Sequence, residues 1–400
     1  MPTRDAQQLL SLVEEIYAIE ELDQLLEAVL TKARTFLRAD AGTLYLKSNN
    51  KLFFSFIQND TMFSGDKAEA RYIYSSRYLT LDRTSLAGHV AKTGESIIID
   101  DVYDIQSDVD YSFNPDFDRQ SNYRTKSMLM VPLKTPRGAV VGVLQLINAK
   151  DESGNVVPFS RDDELYLNQF AQYAASAIEK ARLSKEMVLR MVEVTSLHDP
   201  FETAQHAKRV GAYSVELFDK WATRKHVAVA KIARLREYLK TAAMLHDIGK
   251  VAISDSILKR RGELSPEEHN ELKKHTVLGS QLFRRRESYW DALSRDVAEC
   301  HHERWDGTGY PGAYRIDDAG KITFGPGKRG RDIPWSARIV AIADVYDALR
   351  SQRTYKEAWS QDNVLAYLHE NAGTQFDPDM VGIFLDMQDV VESIRRKYSY

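Results

Sequence analysis

Apolar residues at the start of the chain recur as Leu9, Leu12, Val13, Ile16 and Ile19, then as Leu25, Leu26, Val29, Leu30, Ala33 and Leu37. Steps of three and four between them predict amphipathic helix. The pattern then shortens into runs with strand character: Thr43 to Leu46, Leu52 to Ile57, Ser96 to Ile99, Met128 to Leu133 and Val140 to Ile147. Turn formers such as Asn49-Asn50 and Pro136-Arg137-Gly138 separate them. The simplest assembly is an α+β domain, an antiparallel sheet flanked by helices.

Between Asp162 and Leu197 there is neither Gly nor Pro, and Leu167, Phe170, Ala174, Ala177, Ala181, Ser184, Val188, Met191 and Thr195 alternate in steps of three and four. This is the seam of a long helix with coiled-coil character, weakened by Ser184 and Thr195. It favours a dimerising stalk; a helix packed on its own domain is the alternative. Beyond Asp199-Pro200 the pattern is helical almost throughout, clearest in Val210 to Trp221, Ala228 to Leu245, Pro266 to Arg285 and Trp335 to Arg350. An all-α bundle is expected there.

Composition narrows the chemistry. The 400 residues contain 54 Lys and Arg against 58 Asp and Glu, a formal charge of −4, so no global field gathers DNA or an anionic membrane. No apolar run reaches the length of a membrane span, and the N-terminus lacks a signal-peptide core, which makes the cytoplasm the expected compartment. One cysteine, Cys300, excludes an intrachain disulfide and a multi-thiolate zinc site. A metal here needs His and carboxylate ligands.

Such residues are concentrated in the second half. Eight of the ten histidines lie between positions 198 and 302. His246-Asp247 closes an apolar helix, and Lys250, four residues on, would share a helical face with His246. His301-His302 is a second adjacent pair. Neighbours on a helix point about 100° apart, so two adjacent pairs suit a cluster of metals better than one tetrahedral ion. Glu202 and His206 are four apart, just after Pro200, which would begin their helix. His275 and Asp344 complete a shell. Imidazole and carboxylate ligands suit iron, manganese, zinc or nickel. Cys300 reads as a small buried residue beside the ligands.

In order, His206, the run Leu245-His246-Asp247-Ile248-Gly249-Lys250, His275, the run from His301 to Pro311 containing Gly309-Tyr310-Pro311, and Ala343-Asp344 resemble the HD-GYP family of metal-dependent phosphodiesterases over about 198 to 385. The resemblance implies hydrolysis of cyclic di-GMP to linear pGpG, with GMP as a further product left open. It implies metal ligands at His206, His246, Asp247, His275, His301, His302 and Asp344, with Asp247 bridging and catalytic. Glu202 matches the ligand of the three-metal form, so three divalent ions are favoured over two, iron first and manganese next; a helix-capping acid is its alternative role. Lys250 would neutralise a nonbridging phosphate oxygen. Arg353 and Lys356 match substrate-contacting positions and would hold the second phosphate. Gly307 and Gly309 would supply positive φ in a loop leaving through Pro311, with Tyr310 against the substrate or purely structural. A non-hydrolysing receptor and a phosphodiesterase for a mixed cyclic GMP-AMP dinucleotide are the rival functions. One departure from the family is a longer segment, Gly312 to Asp332, with five basic and three acidic residues and a hairpin signal at Asp317 to Lys321. It would either gate the site or be a surface insertion.

Residues from about 8 to 185 resemble a GAF sensor domain. Asn148, Lys150, Phe159, Asp163 and Glu164 follow the order of the cyclic-nucleotide-type signature, which implies a Lys150–Asp163 pair. Asp110 to Thr125, rich in Tyr, Phe, Asn and Asp, would cover the pocket. A cyclic nucleotide, another small molecule, and a ligand-free dimerising role all stay open. The expected organisation is a GAF domain over 1–185, a linking helix over 163–197 and an HD-GYP domain over 198–400, acting as a homodimer on cyclic di-GMP without DNA or membrane as partner.

Overall fold

The computed structural model describes residues 11–398 apart from 13, 17–18, 20–21, 63–77, 82–84, 200–202, 261, 286–287 and 352–357. The chain divides into two compact units, 1–184 and 185–400.

The first unit is built on α1 (Leu22–Leu37), β1 (Ala39–Ser48), β2 (Lys51–Asn59), β3 (Tyr78–Thr80), α2 (Leu86–Thr93), β4 (Ile97–Ile99), α3 (Asp116–Ser121), β5 (Met128–Lys134), β6 (Val140–Lys150) and β7 (Val156–Val157). The strands form one antiparallel sheet in the order β3-β2-β1-β6-β5-β4, with β7 beside β6. Both faces are covered. Leu44, Leu129, Val131, Leu144 and Leu146 pack against Leu30, Ala33 and Leu37 of α1 and against Leu167, Phe170 and Ala174. Their neighbours Tyr45, Met128, Met130 and Val143 point the other way, onto Leu86, Ala87 and Val90 of α2. Alternate residues reach opposite faces of a strand, so a sheet covered twice reads as unbroken apolar runs.

Helix α4 (Arg161–His198) continues from this unit into the second. The expected seam does not form an open stripe. Leu167, Phe170 and Ala174 are buried in the first unit, while Val188 is buried with Val192, Ala207, Met244, Leu245, Ile248 and Phe283 in the second. Each end buries its apolar face against its own unit. A different set is exposed on the same helix: Leu183, Met187, Val194 and Leu197.

The second unit continues through α5 (Ala204–Arg224), α6 (Val229–Met244), a 3₁₀ turn (Ile248–Ala252), α7 (Asp255–Leu258), α8 (Pro266–Gln281), α9 (Tyr289–Cys300), the hairpin β8 (Tyr314–Ile316) and β9 (Ile322–Phe324), α10 (Trp335–Arg350), α11 (Gln361–Glu370), α12 (Pro378–Leu385) and α13 (Gln388–Lys397). Its core joins Val210, Tyr213 and Leu217 of α5 to Leu239 of α6, Val297 of α9, Ile339 and Tyr346 of α10 and Phe384 of α12. Two helix boundaries depart from expectation. Helix α5 starts at Ala204, not at Pro200, because Thr203 caps it by accepting from His206 N. Helix α6 stops at Met244, so Lys250 sits in the 3₁₀ turn and is not in helical register with His246.

Candidate metal centre

The candidate ligands come from five places in the second unit. His206 lies in the first turn of α5, His246 and Asp247 just past α6, His275 on α8, His301 and His302 at the end of α9, and Asp344 on α10. Local chemistry brings them together. Gly249 follows the His-Asp pair closely, and a β-carbon there would meet His275 O at 1.9 Å. Only glycine lets the 3₁₀ turn lie against α8, which sets His275 beside Asp247.

The result is two groups of potential ligands. Asp247, His275, His301 and His302 form one, and His206, His246 and Asp344 the other, with ligand atoms within 4.8 Å of one another in each. Asp247 faces both. Its Oδ1 is 3.0 Å from His275 Nε2 and 3.5 Å from His301 Nε2, while Oδ2 is 3.3 Å from His246 Nε2. Asp344 Oδ1 lies 3.4 Å from His206 Nε2 and 3.7 Å from His246 Nε2.

Proton positions test whether a cation fits. A carbonyl only accepts, so His246 Nδ1 donates to Ala243 O at 2.8 Å, His275 Nδ1 to Leu272 O at 2.7 Å and His301 Nδ1 to Val297 O at 3.0 Å. In the neutral ring this leaves the lone pair on Nε2, the nitrogen aimed at the carboxylates. His275 Nε2, His301 Nε2 and Asp247 Oδ1 are buried and accept or donate no hydrogen bond. Lone pairs facing lone pairs out of water are costly unless a cation sits among them. The donor set therefore fits divalent ions, which bind neutral imidazole and ionised carboxylate.

Electrostatics keeps the groups in those states. Burial lowers His301 below the ordinary histidine value, and burial together with His301 and His275 lowers His302 much further. Burial would raise Asp247, but Lys250, His246 and His275 outweigh it and hold the carboxyl well below the usual range. Asp344 is lowered in the same way, burial being outweighed by His206 and His246.

Lys250 is held by carboxylates, with Nζ 2.7 Å from Asp247 Oδ2 and 3.1 Å from Asp199 Oδ2. Tyr310 lies over His302, ring centroids 4.9 Å apart, and Pro311 after it is buried. Gly307 has φ +83°, as expected, whereas Gly309 does not need a left-handed backbone. Its requirement is room: a β-carbon would meet Arg304 N at 2.3 Å. Glu202, Arg353 and Lys356 lie outside the described residues.

Four residues beyond the expected set organise this centre. Asp347 accepts from His206 Nδ1 at 2.8 Å and is gripped by Arg209 through Nε at 2.6 Å and a terminal nitrogen at 2.8 Å. Asp199 holds Lys250. Glu303, beside His302, accepts from Gly312 N and Lys328 N at 2.7 and 2.9 Å, fixing both ends of the inserted segment. Asp347 stands one turn after Asp344, a spacing visible in the sequence; the others carry no comparable signal. The insertion forms the β8–β9 hairpin, and Lys328 Nζ reaches Glu299 at 2.7 Å and Cys300 Sγ at 3.0 Å. Cys300 is buried, and burial pushes its thiol up to about 12.

In the first unit, Lys150 pairs with Asp40 rather than with Asp163. Asp163 instead accepts from Ser160 N and Oγ at the start of α4. Lys150 ends β6, and β6 runs beside β1, where Asp40 stands. The stretch 110–125 is tied to the same carboxylate, since Tyr123 OH donates to Asp40 at 2.7 Å.

Fold and site define the class: an α+β module ahead of a helical domain whose His/Asp clusters fit metal ions. Residues 191–380 match the HD domain family and residues 21–178 the GAF domain family, so the chain joins a GAF domain to an HD domain. It is 33% identical over 250 residues to a probable cyclic di-GMP phosphodiesterase of Vibrio cholerae, covering 60% of this chain and 53% of that protein. A 3'3'-cGAMP-specific phosphodiesterase 2 from the same organism is 33% identical over 218 residues, 54% of this chain and 37% of the relative. A cyclic di-GMP phosphodiesterase response regulator of Xanthomonas campestris, RpfG, is 41% identical over 161 residues, 40% of this chain and 39% of the relative. The chain thus spans about half or less of the length of these relatives. Among the described residues no helix is long and apolar enough to cross a membrane.

Proposed function

We propose that the chain is a metal-dependent phosphodiesterase that opens cyclic di-GMP to linear pGpG, under control of its GAF domain. The observation that carries this is the pair of ligand groups with Asp247 facing both and Lys250 at their edge. His206, His246 and Asp344 would hold one ion, and Asp247, His275, His301 and His302 another. Iron is the first choice and manganese the second; Glu202, four residues before His206 in the sequence, would support a third ion. Bound ions would supply Lewis acidity toward the phosphoryl oxygens and an acidified water.

The chain's own groups do the rest. Lys250 donates to a nonbridging oxygen of the scissile phosphate and balances the charge that grows there. Arg353 and Lys356 would hold the second phosphate, the guanidinium in bidentate fashion. Tyr310, tilted over His302, would wall the site against a base or ribose. Burial of His275 and His301 keeps bulk water from competing for the ligands.

The main test is direct. Protein loaded anaerobically with iron or manganese should linearise cyclic di-GMP, and Asp247→Ala should not. No turnover with either metal would favour a non-hydrolysing receptor, although the ligands and Lys250 that such a receptor would have lost are present. The mixed cyclic GMP-AMP dinucleotide is the second reading, favoured by the cGAMP-specific relative; competition between the two substrates decides.

A homodimer is also proposed, through the exposed stripe of α4. Leu183, Met187, Val194 and Leu197 stand at heptad positions, with Arg190 at the intervening one. Met187→Glu with Val194→Glu should yield monomers in sedimentation; an unchanged dimer would exclude this seam.

A further inference from the structure

We infer that Asp199 is a positioning residue for Lys250, so that the linking helix ends on the phosphate-binding lysine. The inference rests on the proposed role of Lys250. Asp199 follows the last residue of α4, and its backbone N still bonds Thr195 O at 2.9 Å, which keeps it on the helical turn. Its side chain is 3% exposed and lies 3.1 Å from Lys250 Nζ. The neighbouring His198 bonds Ile253 O through Nε2 at 3.0 Å, just past the 3₁₀ turn that carries Lys250. Val188 and Val192 lock the preceding turns onto Met244, Leu245 and Ile248. The end of α4 is thus fastened to the His-Asp segment by packing, by a side-chain hydrogen bond to the Ile253 carbonyl and by an ion pair.

The need for a second carboxylate follows from charge. Lysine is a point charge on a flexible four-carbon stem. Asp247, its other carboxylate partner among the described residues, faces both ligand groups, so its negative charge is shared once cations bind there. Those same cations repel the ammonium. Among the described residues, Asp199 is a counter-charge outside the two ligand groups, and it keeps Nζ where a phosphate oxygen would meet it. Displacing the last turn of α4 would then move Lys250 without disturbing a metal ligand, a route by which the helix can set turnover.

The test uses the full chain, metal-loaded, as Asp199→Asn, Asp199→Glu, Lys250→Met and the double Asp199→Asn/Lys250→Met. Lys250→Met should lower kcat by about 100-fold and Asp199→Asn by about 30-fold, both with wild-type metal content. The double variant should be no slower than Lys250→Met, and Asp199→Glu should recover part of the loss. Wild-type kcat in Asp199→Asn, or losses that multiply in the double variant, would overturn the inference. Hydrogen exchange at the 248–252 amides supplies a readout free of activity. Asp199→Asn and Lys250→Met should raise it alike, and unchanged exchange in Asp199→Asn overturns the coupling even if cyclic di-GMP proves not to be the substrate.

Discussion

Both units bury charge, and they do it in opposite ways. In the first, Asp40 accepts from Thr61 Oγ1 at 2.8 Å and from Tyr123 OH at 2.7 Å and pairs with Lys150, while Asn148 donates to Tyr123 OH at 3.0 Å and accepts from Lys126 N at 2.7 Å. Burial opposes the ionised form of Asp40, yet the bonds from Lys150, Tyr123 and Thr61 prevail and lower its pKa. In the second unit, buried nitrogens and a carboxylate oxygen converge without hydrogen bonds between them. A closed network ties strands together and asks for nothing more. An open, converging one is suited to a cation. The polar residues of the GAF unit therefore hold its fold, and those of the HD unit are held by theirs.

The sharpest way to break this contrast is at its centre. Asp247→Ala should remove ligation from both groups and lower any turnover on the order of a thousandfold or more, whereas His275→Ala should deplete one group only. Equal metal loss from the two variants, measured by elemental analysis, would deny that Asp247 is shared. Next comes the outer support of His206. Asp347→Asn should weaken metal affinity about 10- to 100-fold, with the fold intact by circular dichroism. Unaltered affinity would reduce the Arg209–Asp347–His206 chain to a structural brace.

The converse experiment belongs to the closed network. Tyr123→Phe should cost about 2 kcal/mol of stability by chemical denaturation, the loss of a bond to a buried carboxylate, and leave metal content untouched. A smaller effect is expected from pH. Histidines held below the ordinary value of 6.5 refuse protons that the unfolded chain accepts. Stability of the metal-free protein therefore falls as pH drops through 6.5, and the fall continues until the folded-state histidines protonate. Thermal unfolding from about pH 7.5 to about 5.5 should show this decline, and His302→Asn should flatten it. A decline of equal steepness in that variant would assign it elsewhere.

Much of this was legible along the chain. Apolar runs marked β1, β2, β5 and β6, the three-residue edge strand β4 with its Ile-Ile-Ile run, and the main helices of the second unit. The short strands β3 and β7 and the helices α2 and α3 carry too few residues for a period to show. At the site, the crowding of histidines and the adjacent His246-Asp247 and His301-His302 pairs were enough to nominate the ligands, because a hard-to-bury side chain recurring among apolar neighbours has few other reasons to be there. The partners of those residues were not. The resemblance implied Asp163 as the partner of Lys150, and the strand pairing of β6 with β1 gave it Asp40 instead. Lys250 seemed to share a helix face with His246 until α6 ended early.

The sequence by itself determined which chemistry was available: imidazole and carboxylate without thiolate, an apolar sheet, and a helix long enough to join two domains. Tertiary structure decided which lone pairs meet. Nδ1 of His246, His275 and His301 is spent on a carbonyl three or four residues back in its own chain, a local matter; the Asp347 partner of His206 Nδ1, and where each Nε2 points, depend on α5, α6, α8, α9 and α10 packing at close distance. Asp199 reaching Lys250 from the end of another helix is of the same kind. Periodicity reports which face a residue occupies, and only packing reports what lies across from it.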